Sequence, residues 1–163
     1  MSSDNFFYRL EGGFTKLGSI GLVADGLRMD NEFAGTITDG ALAGAQMTGI
    51  DFFRIRADGV GVVDAREMIH YKDEVIAVHV TGYVLPPADM EFPSLAALTA
   101  PDFTWPDAAF TIEALATFET AAAEFGHLNS MAVVHTGRAN MATGELTVVA
   151  HRILQSQGEM IRV

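Results

Sequence analysis

Val60-Gly-Val-Val-Asp-Ala-Arg-Glu-Met-Ile-His-Tyr-Lys-Asp-Glu-Val-Ile-Ala-Val-His-Val-Thr-Gly-Tyr83 alternates polar and apolar positions on both sides of Lys72-Asp73. If those two residues form a tight turn, Tyr71 pairs with Glu74, Arg66 with His79, and Asp64 with Thr81. Side chains alternate across a strand, so one face of this hairpin carries Asp64, Arg66, Met68, His70, His79, Thr81 and Tyr83. The other carries Val63, Ala65, Ile69, Ile76, Val78 and Val80. Two placements fit. The apolar face fills a core and the polar face meets water, or a ligand-holding barrel turns a few charged groups inward.

The pattern extends along the chain. Most of the 16 glycines punctuate turns, at Gly12-Gly13, Gly18, Gly26, Thr38-Asp39-Gly40, Asp58-Gly59, Gly137 and Thr143-Gly144. Between them lie segments rich in Val, Ile, Phe and Thr, which predict strands at 5–11, 14–24, 31–38, 42–48, 50–57, 60–71, 74–84, 108–119, 130–138 and 145–154. The Pro-bounded stretch from Pro86-Pro87 to Pro106 predicts a short helix over Ser94 to Thr99, and Thr120 to Phe125 a second helical turn. The expectation is a single all-β domain over 1–163: an antiparallel up-and-down-type barrel of about 8–10 strands with one or two short helices.

Composition narrows the function classes. Hydrophobic residues make up 49% of the 163 against 19% charged, and the mean hydropathy of +0.23 argues against disorder. The net charge is −11. The basic residues are scattered singly apart from Arg54-Ile-Arg56, so no cationic footprint for nucleic acid or an anionic membrane is visible. No apolar run approaches the roughly 18 residues of a membrane helix, and Met1-Ser-Ser-Asp-Asn lacks the basic start of an export signal. A cytoplasmic protein is expected. With no cysteine, disulfides, thiolate zinc sites and cysteine nucleophiles drop out together.

The order Gly35-(x)4-Gly40-(x)3-Gly44-(x)4-Gly49-x-Asp51-Phe52, then Arg56-x-Asp58-Gly59-Val60 and Asp64-Ala65-Arg66, resembles the DUF3237 (UPF0311) family. Phe118-Glu119-Thr120 and Leu128-Asn129 extend the likeness, which runs from Phe7 to Ile153. The resemblance implies a small β-barrel, without an assigned activity for most members, and pocket positions at Asp51, Asp64-Ala65-Arg66, Glu119 and Asn129. This chain departs from the family in having Phe52 in place of a Trp, and Phe125-Gly126-His127 in place of a Tyr-x-Trp.

Each candidate carries a functional and a structural reading. Asp51 with Arg66 forms either a lumenal pair able to hold an enolate or carbonyl oxygen, or a salt bridge that locks the barrel. His79 opposite Arg66 is either a neutral imidazole suited to general base work or a solvated strand histidine. Tyr83, Trp105 and Phe103 form a lid for a planar ligand or a plug over one end of the core. Glu119, His127 and Asn129 converge on a ligand or cap a turn. His70 and His79 lie on the order of 13 Å apart, and no spacing suits a metal. Nucleophile-elbow, phosphate-loop and dinucleotide motifs are absent.

The leading expectation is a cofactor-independent isomerase, cyclase or lyase. It would act by acid–base chemistry on a hydrophobic, aromatic or polyketide-like carbonyl compound, in a closed cavity of a few hundred Å3. Catalysis would fall to Asp51, Arg66 and His79, with Tyr83 as auxiliary acid. Substrate would rest on Tyr83, Trp105, Glu119, His127 and Asn129. The alternatives are a non-catalytic small-molecule barrel and an assembly protein with a filled core. The partner is a hydrophobic small molecule, with no cofactor, metal, nucleic acid or membrane. An exposed Val/Ile face would add a homodimer.

Overall fold

Eight antiparallel strands close into a barrel in the computed structural model, which describes residues 5–153. They are β1 (Phe6–Val23), β2 (Gly26–Gly40), β3 (Gln46–Arg56), β4 (Gly61–Tyr71), β5 (Glu74–Leu85), β6 (Phe110–Glu119), β7 (Ala132–Ala139) and β8 (Glu145–Arg152). Each pairs with its neighbour in sequence, and β8 returns to β1 through pairs such as Leu10 with Val148. Closure removes the free edges an open sheet of this length would present. Among the described residues no helix is long and apolar enough to cross a membrane.

Ten expected strands become eight because several glycines bend strands where turns were expected. Gly12 and Gly13 lie inside β1, whose register shifts at Arg9/Leu10, Phe14/Lys16 and Ser19/Gly21. A β-carbon at Gly12 would stand 2.2 Å from the Ala34 carbonyl oxygen. Glycine there permits two strands to approach where the sheet curls. The segments 42–48 and 50–57 likewise merge across Gly49 into β3, whose paired residues start at Gln46. The last residue of the expected strand 145–154 lies outside the described residues.

The β4–β5 hairpin has the register expected of a two-residue turn: Tyr71 pairs with Glu74, Arg66 with His79, Asp64 with Thr81. Its turn residue Lys72 adopts a φ of 55°, which two-residue hairpin turns require. The apolar face points inward. Val63, Ala65, Ile69, Ile76, Val78 and Val80 are all buried, and Asp64, Arg66, Met68 and His70 are exposed. Burying one Val or Ile side chain is worth about 1.5–3 kcal/mol, far more than an exposed ion pair returns. That imbalance decides the orientation.

The two barrel ends are closed differently. At one end a 3-10 helix, Ala123–Ser130, inserts buried Phe125 and Leu128, with Phe125 edge-on to Tyr71 at 5.8 Å. It replaces the turn expected at Thr120 to Phe125 and starts three residues later. At the other end the β5–β6 connection, 86–109, crosses the mouth. It contains the short helix α1 (Leu95–Leu98), whose N-cap Ser94 accepts a hydrogen bond from the Ala97 N–H. Phe92 stacks on Phe110 at 4.9 Å, and Trp105 meets Phe110 edge-on at 6.3 Å. Asn140 Nδ2 donates to Asp107 Oδ1 at 2.7 Å, tying this cover to the β7–β8 turn.

Candidate functional site

Beneath the 86–109 cover lies a cavity of about 60 Å3, measured as the space open to the centre of a water molecule. It has room for several waters or one compact molecule, and it is smaller than the few hundred Å3 expected. Its walls are mostly apolar, with Phe33, Phe53, Val80 and Ile112 prominent, and Trp105 and Phe92 on the cover side. Four polar side chains break this lining: Asn31, Asp51, Glu67 and His135.

Three of the four form a row across neighbouring strands. Asn31 on β2 pairs with Asp51 on β3, and Asp51 pairs with Ala65 on β4. Glu67 stands two residues beyond Ala65 on the same face, diagonal to Asp51, a separation of about 7–8 Å for such pairs. Gly49, which pairs with both Phe33 and Glu67, leaves room for the Phe33 ring. A β-carbon there would lie 2.4 Å from Phe33 Cζ. The glycine therefore sets the phenyl ring beside the carboxyl.

Electrostatics in this row are unusual. Glu67 is 8% exposed; burial first, then the neighbouring Asp51 charge, push its carboxyl up to about 8. Asp51 is half-buried. Desolvation raises it to about 7, against a hydrogen bond from the Asp64 backbone N–H and with the added repulsion of Asp64 and Asp30. Near neutral pH the pair thus holds one mainly protonated carboxyl, Glu67, and one, Asp51, shared between its acid and base forms. Glu67 Oε2 and Asn31 Oδ1 are buried without a hydrogen-bond partner among the described residues. Such atoms cost about 1–3 kcal/mol each unless a bound group satisfies them.

His135 enters from β7, 3% exposed, and burial depresses its imidazole to about 4, so it is neutral. Its Nε2 lies 2.7 Å from the hydroxyl of the fully buried Tyr8. Burial, with the Glu67 charge second, holds the Tyr8 phenol well above its ordinary range.

Most residues expected at the site lie elsewhere. Arg66 and His79 are on the outer wall, and both contact the Asp64 carboxylate, at 2.9 and 3.0 Å. The expected Asp51–Arg66 pair is replaced by this exposed cluster, because Arg66 shares the outward face of β4 with Asp64. Tyr83 is 51% exposed on the outside. Glu119, His127 and Asn129 sit at the opposite end of the barrel, all exposed. Asn129 bonds both the N–H and the carbonyl of Thr120, at 2.7 and 3.0 Å, which makes it a turn lock. Of the expected set, Asp51 and Trp105 line the cavity; Phe103 packs edge-on against Trp105 at 5.2 Å, as a plug.

Asn31, Glu67, His135 and Tyr8 were missed. The available signal was a lone polar residue at an inward position of an apolar face: Glu67 between Ala65 and Ile69, Asn31 between Met29 and Phe33, His135 two residues past Val133. Among the described residues no group of three His, Asp or Glu side chains comes together as a metal site.

A family model for a protein of unknown function, DUF3237, matches residues 25–153. No curated protein matches the sequence. Among solved structures, the chain is similar to a protein of unknown function from Clostridium acetobutylicum. The identity is 18%, with 91% of this chain and 97% of that one covered, at a TM-score of 0.69. A β-barrel-like protein from Acinetobacter baumannii is also 18% identical, over 91% and 93%, at 0.67. An enzyme from Penicillium herquei is 14% identical, over 90% and 91%, at 0.58. At these identities the likeness concerns the fold.

Proposed function

The chain belongs to the DUF3237 family, and from that premise we propose that it is a cofactor-independent enzyme performing acid–base chemistry on a compact, hydrophobic carbonyl compound inside the barrel. The observation that carries this reading is the pair of carboxyls lining an apolar cavity, half-buried Asp51 and buried Glu67, with protonation equilibria displaced to about 7 and 8. Carboxyls poised near neutral pH are what proton abstraction next to a carbonyl requires.

In this reading Asp51, as carboxylate, takes a proton from the carbon next to the carbonyl. Glu67, as carboxylic acid, gives its proton to the carbonyl oxygen, so a neutral enol forms without a free oxyanion in an apolar site. Collapse of the enol returns the oxygen proton to Glu67. Asp51 delivers its proton to a second carbon, which completes an isomerisation with no net proton uptake. The acid role thus passes to Glu67 from Tyr83, and Arg66 no longer holds the carbonyl oxygen, because both side chains face outward.

The test is a panel of small unsaturated ketones, starting with 3-cyclohexen-1-one, followed by the ultraviolet absorbance of the conjugated product. Turnover by the wild type, lost in Asp51→Asn and in Glu67→Gln with both variants folded, supports the reading. A panel inert with the wild type, or turnover retained in both variants, sinks it.

The second reading, a binding or carrier barrel, is favoured by the largely apolar lining. It predicts ligand binding that survives Asp51→Asn but fails when a wall residue such as Val80 is made polar.

A further inference from the structure

Among the described residues the cavity is lined by acids and a neutral imidazole, with neither Lys nor Arg. An anionic ligand would enter beside the Asp51 carboxylate with no cation among the described lining residues to neutralise it, and like charges in an apolar site repel strongly. What the cavity does present is hydrogen-bond donors, and their identity follows from the Tyr8–His135 contact.

Tyr8 is fully buried, and among the described residues its hydroxyl has one side-chain partner, His135 Nε2 at 2.7 Å. If Nε2 carried the hydrogen, the phenol would accept and its own O–H would be left without an acceptor in the barrel interior, a costly arrangement. The phenol therefore donates, Nε2 accepts, and the single hydrogen of the neutral ring resides on Nδ1. Among the described residues no protein group bonds Nδ1, and the imidazole forms part of the cavity wall. The edge-on packing of the two rings, centroids 5.7 Å apart at 71°, holds the imidazole in place.

We propose that Tyr8 locks His135 as the Nδ1–H tautomer, and that this N–H recognises the oxygen of an uncharged carbonyl ligand in the lumen. The inference rests on the lumen being the ligand site proposed above, and it adds a second donor beside the Glu67 carboxylic acid. His135 cannot be the base in such a site: its free nitrogen is protonated, and its accepting nitrogen is occupied by Tyr8. The recognised class is a neutral ketone or aldehyde, with carboxylates excluded.

Two readouts test this on the intact chain, and neither needs turnover. Long-range 1H–15N correlation at pH 7 reports the tautomer of each of the five histidines, with His135 assigned by the signal lost in His135→Gln. The expected result is a protonated Nδ1 and an unprotonated Nε2. The single tryptophan, Trp105, lines the cavity and reports ligand by fluorescence. Cyclohexanone should give a saturable change, weakened about tenfold in Tyr8→Phe. Cyclohexanecarboxylate at pH 8 should give none. An Nε2-protonated His135 overturns the proposal, as does carboxylate binding equal to that of the ketone, or an unchanged affinity in Tyr8→Phe. If the acid–base reading alone fails, the wild-type tautomer and the ketone titration stand as stated.

Discussion

The backbone N–H of Asp64 donates to Asp51 Oδ1 at 3.1 Å, across the β3–β4 seam. Regular pairing there runs to Asp51 with Ala65 and resumes at Arg54 with Val62. A carboxylate side chain thus accepts from a backbone N–H where the ladder is interrupted, and it joins the cavity wall to the strand that carries the outer Asp64–Arg66–His79 cluster. The hydrogen bond favours the ionised carboxyl, and burial favours the neutral one. The balance leaves Asp51 at about 7.

Asp51→Asn keeps an oxygen that can accept from the Asp64 N–H, so the variant should fold with a melting temperature close to wild type. It loses the proton-accepting carboxylate. Turnover of a ketone substrate should fall by about 10²–10⁴-fold, the usual contribution of a positioned base, with ketone affinity by Trp105 fluorescence little changed. A variant as active as the wild type would remove Asp51 from the chemistry.

Glu67 makes the folded state sensitive to alkali. Its folded value, about 8, lies above its ordinary 4.5, so the native state binds more protons across that window. The stability it contributes is full below about 4.5 and is lost as pH rises through about 8. The expected scale is a few kcal/mol. Thermal melts from pH 5 to 9 should show the wild type falling with pH and Glu67→Gln falling less. His135 acts in the opposite sense: depressed from 6.5 to about 4, it costs stability as pH falls through that interval. A Glu67→Gln profile parallel to that of the wild type would contradict the buried acid.

Gly49→Ala places a methyl group against the Phe33 ring and 3.0 Å from the Arg66 carbonyl oxygen. Overpacking of this kind costs about 1–3 kcal/mol. Part of that loss should return in the double variant with Phe33→Leu, which frees the space the ring occupies. Denaturant titrations of the two single variants and the double one measure the coupling; purely additive losses would rule out the Phe33 contact as the cause.

Arg66→Ala and His79→Ala remove exposed partners of Asp64, and exposed ion pairs add little stability. Both should melt with the wild type and leave cyclohexanone titrations unchanged. A selective loss of ligand binding or turnover in either would restore a functional role to the outer cluster.

Local pattern made much of the barrel readable. The two-residue turn at Lys72-Asp73 and the period-two alternation set the β4–β5 register, and Pro86 to Pro106 marked the segment that covers the mouth. The candidate site was less accessible. Asp51 and Trp105 could be picked out, but Arg66 and His79 drew attention through charge on a face that meets water. Glu67 sat unremarked on the face judged apolar.

The sequence by itself determined the strand periodicity, the hairpin register, the antiparallel fold class and the family likeness, because these depend on neighbours a few residues apart. Only the tertiary structure decided which face is inside, and which lone polar residues meet there. Alternation divides a strand into two faces without assigning either to the core; the assignment follows from the apolar area that all eight strands bury together. Tyr8 and His135 are 127 positions apart. They touch because barrel closure brings β1, β8 and β7 into adjacent register, a constraint no single segment of the chain contains.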